Sequence, residues 1–212
     1  SSSTLTANST SGSICVAGCI LVFSSQGIND VRMQGNTAHN ITANTDADTN
    51  GSAAFFMAAY SPSAITNFSV THNTASDCTA NAESHTNDAQ ASILWTGSGV
   101  AYTNFAFTDN TVDSCILNTN KNGGPSQEHP NILFFNTNLL KNSALSRNHI
   151  TNCSFIGVDS SEYESVMHVV ASSILSTEID YNQAYNNNSK GLIVEAGNVD
   201  ALSIRNNQFW AE

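Results

Sequence analysis

Basic residues are scarce in this chain, whose 212 residues include six Lys and Arg against 17 Asp and Glu, for a net charge of −11. Contacts to phosphate need clusters of Lys and Arg, so this balance argues against binding to nucleic acid. Long apolar runs are lacking too. The most apolar stretch, residues 14–23, has about half the length of a membrane-spanning helix. We therefore expect no nucleic-acid partner and no membrane insertion.

Charged residues of both signs and prolines are also few, at 11% of the chain and three residues. In their place are 28 asparagines and 49 serines and threonines. Small polar side chains suit the outward positions of stacked strands, where they can hydrogen-bond along a ladder. The length fits one domain with a sizeable core. We predict a single domain over residues 1–212, with an extended N-terminal segment at 1–13 and coils from 14 to 212.

A short phrase recurs through the chain: an apolar residue, two variable residues and then an asparagine. The gaps between its six asparagines are 37, 37, 38, 34 and 25 residues. A repeat of this length, made of short segments and polar turns, is the signature of a solenoid in which each copy forms one coil. The six asparagines are Asn36, Asn73, Asn110, Asn148, Asn182 and Asn207.

The residues before each asparagine alternate between inward and outward positions, as in Phe68-Ser69-Val70-Thr71 and Phe105-Ala106-Phe107-Thr108. This is the period-two pattern of a half-buried strand. A short apolar run, such as Ile132-Leu133-Phe134-Phe135, lies further upstream in every copy and is too short for a core helix. Each coil is therefore predicted as strand, bend, strand, asparagine turn and strand, followed by a loop of variable length.

Parallel strands stacked in this way resemble the right-handed parallel β-helix of the pectate-lyase-like superfamily, over roughly residues 20–210. The resemblance implies an all-β, right-handed parallel β-helix of about six coils, with the six asparagines stacked at one bend. Amides one coil apart can hydrogen-bond to each other and to the backbone of the bend. No particular activity is implied, because this fold carries unrelated ones.

Residues at equivalent positions of successive coils form columns along the solenoid. One interior column is predicted to contain Val70, Phe107, Leu145, Ile179 and Ile204. Cysteines five residues after a ladder asparagine form a second column headed by Ile41, namely Cys78, Cys115 and Cys153. Coils are about 4.8 Å apart, which is within disulfide reach. We favour buried free thiols that pack as small apolar groups.

Cys15 and Cys19 lie ahead of the first coil, and a local disulfide and two free thiols remain equally open for them. A Cys-x-x-x-Cys spacing without a second ligand pair does not complete a zinc site. We therefore predict neither a metal site nor a cofactor.

Catalytic motifs are weak. Glycoside hydrolysis uses two carboxyls about 5 to 10 Å apart, and no outward strand acid shares a column with another acid. His72, Asp109 and Arg147 are successive members of the column that precedes the ladder asparagine. They form either an acid–base constellation or, as we favour, a surface ladder of complementary side chains. We predict no catalytic residues and lean against an enzyme.

The loops after the third strand carry much of the acidic charge and leave one corner of the solenoid. They are predicted at roughly 42–52, 79–91, 116–131, 154–165 and 188–191. Such a fringe could bind a glycan, calcium or a partner protein, although acids in loops are more often simply solvated.

Six asparagines head the Asn-x-Ser/Thr triplet and are candidate acceptors for N-glycosylation. Triplets of this kind arise by chance at about this frequency in a chain so rich in Asn, Ser and Thr, so a glycoprotein is permitted rather than indicated. The candidates are Asn8, Asn40, Asn50, Asn67, Asn152 and Asn187.

The ends of a solenoid expose strand edges, which invite pairing with another chain. We expect end-to-end self-association by strand addition through Leu5, Phe209 and Trp210, in a contact that builds a filament. The sequence thus favours a structural or adhesive extracellular protein, secreted or on a virion surface. A phage tailspike-like protein that binds or cleaves glycans is the alternative, and a monomeric polysaccharide lyase or hydrolase is a third.

Overall fold

The computed structural model describes residues 3–9, 14–47, 50–84, 89–121, 128–157 and 164–210, and every regular element in these ranges is a β-strand. Alternating inward and outward side chains, with many β-branched residues, favour strands. In chain order the strands are β1 (Ser3–Ser9), β2 (Ile14–Ala17), β3 (Ile20–Phe23), β4 (Ile28–Asn29), β5 (Arg32–Gln34), β6 (Thr37–His39), β7 (Ile41–Ala47), β8 (Asn50–Ser61), β9 (Ile65–Thr66), β10 (Ser69–Thr71), β11 (Thr74–Ser76) and β12 (Thr79–Ser84). They continue with β13 (Ala89–Thr103), β14 (Ala106–Thr108), β15 (Thr111–Asp113), β16 (Ile116–Lys121), β17 (Glu128–Lys141), β18 (Ala144–Ser146), β19 (His149–Thr151), β20 (Ser154–Gly157), β21 (Ser165–Asp180), β22 (Gln183–Tyr185), β23 (Lys190–Arg205) and β24 (Gln208–Trp210).

The strands stack into three parallel sheets that share one axis. A five-stranded sheet has the order β1-β7-β12-β16-β20, a six-stranded sheet has the order β24-β22-β19-β15-β11-β6, and a 13-stranded sheet holds the remaining strands. Pairing joins equivalent residues of successive coils, as when Val70 lies between Met33 and Phe107. The chain is therefore a parallel β-solenoid, and the predicted fold class is confirmed.

The coils, numbered one to six, comprise β2–β7, β8–β12, β13–β16, β17–β20, β21–β22 and β23–β24. Coils one to four contribute to all three sheets, whereas the described residues of coils five and six add no strand to the five-stranded sheet. The structure thus has four complete turns and two partial coils, fewer complete turns than the predicted six. The cause is a shortcut at 186–189, where the chain passes from β22 to β23.

Three corners shape each full coil, and each is marked by a residue with positive φ. In coil two they are Asn67, His72 and Asp77, with φ of 51°, 56° and 52°. Asn and Asp tolerate this left-handed conformation better than most residues, and they occupy most of the corners. Successive corners are five residues apart, so each side of the coil presents a fixed set of inward side chains.

A polar strand follows the third corner, at a place where the sequence predicts a loop. β12, β16 and β20 lie within the segments assigned above to the second, third and fourth loops, and β7 overlaps the first loop at all but its first residue. In β12 the inward residues are the small Ala80 and Ala82, both buried, so the apolar signal of the strand is weak. The loop prediction is wrong for these four strands.

The predicted interior columns are confirmed. Val70, Phe107, Leu145, Ile179 and Ile204 are successive register partners. Burial is weakest in coil six, where Val199 and Ile204 are each 50% exposed. In coil one, Ile28 and Met33 are 5% and 4% exposed, and Val31 and Ile41 are half-buried. Among the described residues, the core is therefore better covered at coil one than at coil six.

Candidate functional site

The asparagine ladder runs along the second corner through all six coils. Asn110 Oδ1 accepts hydrogen bonds from the backbone N–H and from Nδ2 of Asn73, each at 3.0 Å. Asn110 Nδ2 also donates to the Val70 carbonyl at 3.0 Å. The same pairs of bonds link the other neighbours from Asn36 to Asn207. The six asparagines thus share one bend, as the sequence predicts.

The ladder has a direction, because each Oδ1 from Asn73 to Asn207 accepts from the asparagine of the coil before it. At the first coil, Asn36 Oδ1 receives no hydrogen bond from the described residues. At the last coil, the backbone N–H of Asn207 has no acceptor within the same ranges, although its Nδ2 donates to the Ile179 carbonyl at 2.8 Å. One end of the solenoid therefore presents an acceptor and the other end a donor.

The N-terminal segment is part of the protein's own sheet. β1 pairs with β7 along its length, with Ser3 beside Ile41 and Ser9 beside Ala47. Leu5 is half-buried and packs against the core. The far edge of β1 has no neighbour among the described strands, and the rest of the predicted assembly segment, residues 1–2 and 10–13, lies outside the described residues.

The other end of the solenoid is formed by β23 and β24. Within the described chain, β23 pairs with β21 alone and β24 with β22 alone. Phe209 turns inward and packs on Gly191, where an added Cβ would lie 2.2 Å from the Phe209 ring. Together with the half-exposed Val199 and Ile204, it makes an apolar end face.

Beside this end face the five-stranded sheet has a gap. Asn188 takes the place of a strand next to β20: its Oδ1 accepts from the Phe155 N–H at 2.7 Å, and its Nδ2 donates to the Phe155 carbonyl at 3.0 Å. Asn187 accepts from the Cys153 N–H at 2.9 Å. Two shallow recesses of about 250 and 240 Å³ lie against the segment 186–191. The segment closes coil four and leaves the level of coil six open in this sheet.

Trp210 is the outward aromatic residue of the last strand and is 52% exposed. Its ring stacks on Tyr185, with centroids 4.4 Å apart and planes at 20°. Tyr185 Oη donates to Gln208 Oε1 at 3.0 Å. The sequence alone does not predict this contact. Its two residues are 25 positions apart and meet only because β22 and β24 are paired in this register. Of the three residues predicted for assembly, Leu5 and Phe209 thus turn inward and Trp210 outward.

The acid–base column is occupied by an ion pair. Arg147 Nε and an Nη donate to the two carboxylate oxygens of Asp109 at 2.7 and 2.8 Å. This bond lowers the pKa of Asp109 and raises that of Arg147. A carboxylate held ionised by an exposed arginine is a poor general acid or base. Arg205 likewise lies near Asp180, at 3.7 Å. This column therefore holds one complementary ion pair, and the Asp180–Arg205 pair lies in the neighbouring column.

His168 is a buried titratable residue that sequence patterns do not single out. It is 1% exposed, and its Nε2 lies 3.0 Å from Glu195 Oε1 in the next coil. Burial lowers its pKa. The histidine belongs to an apolar run, Val166 to Val170, where its neighbours give no hint of an ionisable function.

Cys78, Cys115 and Cys153 are buried free thiols, as predicted. A hydrogen bond with the Cys115 thiol raises the pKa of Cys78, and one with Cys153 raises the pKa of Cys115. Raised pKa values suppress the thiolate, which is the reactive form. The Cys15 side chain lies outside the described residues, so both alternatives for Cys15 and Cys19 stay open.

The candidate glycosylation sites differ in exposure. Asn40, Asn67 and Asn152 are exposed at corners with positive φ. Asn187 is 2% exposed and hydrogen-bonded, so the folded chain does not present it to solvent. The side chains of Asn8 and Asn50 lie outside the described residues. Of the predicted loops, 48–49, 85–88, 122–127 and 158–163 also lie outside them.

No cluster of three or more His, Cys, Asp or Glu with metal-binding geometry occurs among the described residues. The same part of the chain contains no helix with the length and hydrophobicity needed to cross a bilayer. No protein-family profile, no curated protein and no solved structure matches this chain.

Proposed function

We propose that the chain is a structural or adhesive extracellular subunit whose solenoids associate end to end into a filament or surface appendage. The observation that carries this proposal is the unlike hydrogen-bonding character of the two ends. Asn36 presents an acceptor at one end, and Asn207 presents a donor at the other. A contact between unlike ends does not close on itself and therefore propagates.

The apolar face of coil six supports the proposal. Val199 and Ile204 are half exposed there, beside the edges of β23 and β24. Open strand edges next to apolar side chains favour pairing with another chain, and solenoids usually cover such a face with a polar cap. A second subunit would bury these side chains and continue the sheets.

The composition and the corners support an extracellular setting. The chain is acidic and rich in Asn, Ser and Thr, and three of its Asn-x-Ser/Thr triplets are presented at exposed corners. Mass spectrometry of material secreted from a glycosylating host would show occupancy at Asn40, Asn67 or Asn152 if these corners are used.

Sedimentation velocity over a range of concentrations, with negative-stain microscopy, tests the assembly. Val199 and Val100 are both 50% exposed, but only Val199 lies on the end face. We expect the unmodified chain and Val100→Lys to form rods longer than one solenoid, and Val199→Lys to stay monomeric. A monodisperse monomer at high concentration of the unmodified chain would overturn the proposal.

Glycan binding is a second candidate, favoured by the exposed Trp210 ring beside Gln208 and Tyr185. Aromatic faces flanked by a few polar groups suit ring-shaped polar ligands. A panel of neutral and acidic oligosaccharides would be tested against the unmodified chain and Trp210→Ala. Retention by the former and loss by the latter supports this candidate, and no retention by either rejects it.

A further inference from the structure

We infer that the end-to-end contact continues the solenoid in register, so that Asn207 of one copy stacks on Asn36 of the next. The inference rests on the assembly proposed above and adds its pairing residue by residue. β24 would extend the sheet edge at β6 of the next copy, and the last part of β23 would extend β4 and β5.

The backbone groups at the two ends match in this register. Inside the chain, the Asn73 N–H donates to Asn110 Oδ1, and the Asn73 carbonyl accepts from the Thr111 N–H at 2.9 Å. At the contact, the Asn207 N–H would donate to Asn36 Oδ1, and the Asn207 carbonyl would accept from the Thr37 N–H. Both ends of the ladder would then be paired as every interior coil already is.

The inward side chains match as well. The register places Ile204 in the column of Met33 and the bulky Phe209 in the column of the small Ala38. The contact would cover the half-exposed Val199 and Ile204 of coil six, whereas Met33 and Ala38 are already 4% and 2% exposed. Rotating the next copy about the solenoid axis by one side of the coil, which is five residues long, would instead set Asn207 against Val31 or Ile41. A buried amide without a partner is costly, so the ladder selects one of the three orientations that the corners would otherwise allow.

The outward side chains meet without repulsion. Arg205 would lie beside Gln34, and Arg32 beside Ser203, so no two like charges stand directly opposite each other in these columns. Trp210 would stack on His39 with the ring face that Tyr185 leaves open. Arg205 is itself near Glu178 and Asp180, at 3.8 and 3.7 Å.

The outlines of the two ends are also complementary. β1 stands one strand layer beyond coil one in the five-stranded sheet. The described residues of coil six leave that layer open, next to 186–189. In the inferred register, β1 of the next copy enters this gap, whereas a rotated copy would drive β1 against β23 or β24.

Cysteine cross-linking between two differently labelled chains tests the register. Cys15→Ser and Cys19→Ser would be introduced throughout, and the three column thiols remain because they are buried. One chain carries Thr37→Cys and the other Gln208→Cys, which become neighbours in the inferred contact. The matched control replaces Gln208→Cys by Gln183→Cys, which lies in the same column one coil earlier and is equally classed as exposed.

Copper-catalysed oxidation of the polymer is expected to give a heterodimer band when the cysteines are at positions 37 and 208. No such band is expected when they are at positions 37 and 183. Position 183 is one coil further from position 37 than position 208 is, which adds about 4.8 Å to the distance between the two Cα atoms. The resulting distance exceeds the range that a disulfide tolerates. Rods that cross-link through 37/183, or through neither pair, overturn the register and leave the assembly standing. Failure to form rods with any chain, unmodified chain included, overturns both.

Discussion

Asn73 donates twice to a single oxygen, because its backbone N–H and its Nδ2 both reach Oδ1 of Asn110 at 3.0 Å. Asn110 Nδ2 in turn donates to the Val70 carbonyl. One side chain, 4% exposed, therefore hydrogen-bonds to three polar groups inside the corner: the Asn73 N–H, Asn73 Nδ2 and the Val70 carbonyl.

Asn110→Ala is expected to lower the free energy of unfolding by about 1–3 kcal/mol, because it removes those hydrogen bonds and leaves the buried Asn73 N–H without an acceptor. Asn29→Ala is the matched control: Asn29 is an exposed residue of β4 whose Nδ2 donates to Asp30 Oδ2 at 2.9 Å, and its loss should cost about 0.5 kcal/mol or less. Urea unfolding measures both. Equal losses for the two variants would contradict a special role for the ladder.

Cys78, Cys115 and Cys153 are expected to resist thiol reagents while the protein is folded. Burial of all three excludes the reagent, and the raised pKa values of Cys78 and Cys115 suppress the thiolate at those two positions. Alkylation followed by peptide mass spectrometry should label the three column thiols only after denaturation. Rapid labelling of any column thiol in native buffer would show that the interior is open at that coil.

Acidification from about pH 7 to 5 is expected to destabilise the protein through His168. Its folded pKa lies below the unfolded value of about 6.5, so the unfolded chain binds more protons between the two values. The free energy of unfolding therefore rises with pH across this window, and the protein becomes less stable as the pH falls through it. The lowered pKa of Asp109 acts in a separate window, below about pH 4.

Urea unfolding at pH 7 and pH 5 checks the His168 prediction. His168→Gln should reduce the difference between the two pH values, whereas His39→Gln, at an exposed position, should leave it unchanged. The attribution to His168 fails if both variants keep the full difference.

Gly191→Ala is expected to loosen the last coil, because the new Cβ would meet the Phe209 ring at 2.2 Å. Hydrogen exchange should quicken in residues 190–210 while β13 and β17 stay protected. Adding Phe209→Ala to the same chain removes the clash, so the double variant should lose less protection than the sum of the single variants. Strict additivity would show that the two residues do not compete for this space.

The sequence predicts the ladder and the inward columns because they recur with regular spacing and contrast with polar neighbours. It does not predict β12 as a strand, because Ala80 and Ala82 carry little of that contrast. Nor does it predict how Asn187 and Asn188 close coil four, since both occur among 28 asparagines. The contacts at both ends depend on register, as the pairing of Tyr185 with Trp210 shows.

Coil length changes outside the three corners. The ladder asparagines are 37, 37, 38, 34 and 25 residues apart, yet the corners keep their five-residue spacing. The difference therefore falls between the third corner of one coil and the first corner of the next, in the connection to the long strand and in the register shifts of β8 and β13. A foreign peptide inserted there, for instance between β16 and β17, would be displayed along one edge without shifting the backbone on either side. Copies inserted in successive coils would stand in a row whose period is set by the strand spacing of about 4.8 Å, independent of the peptide.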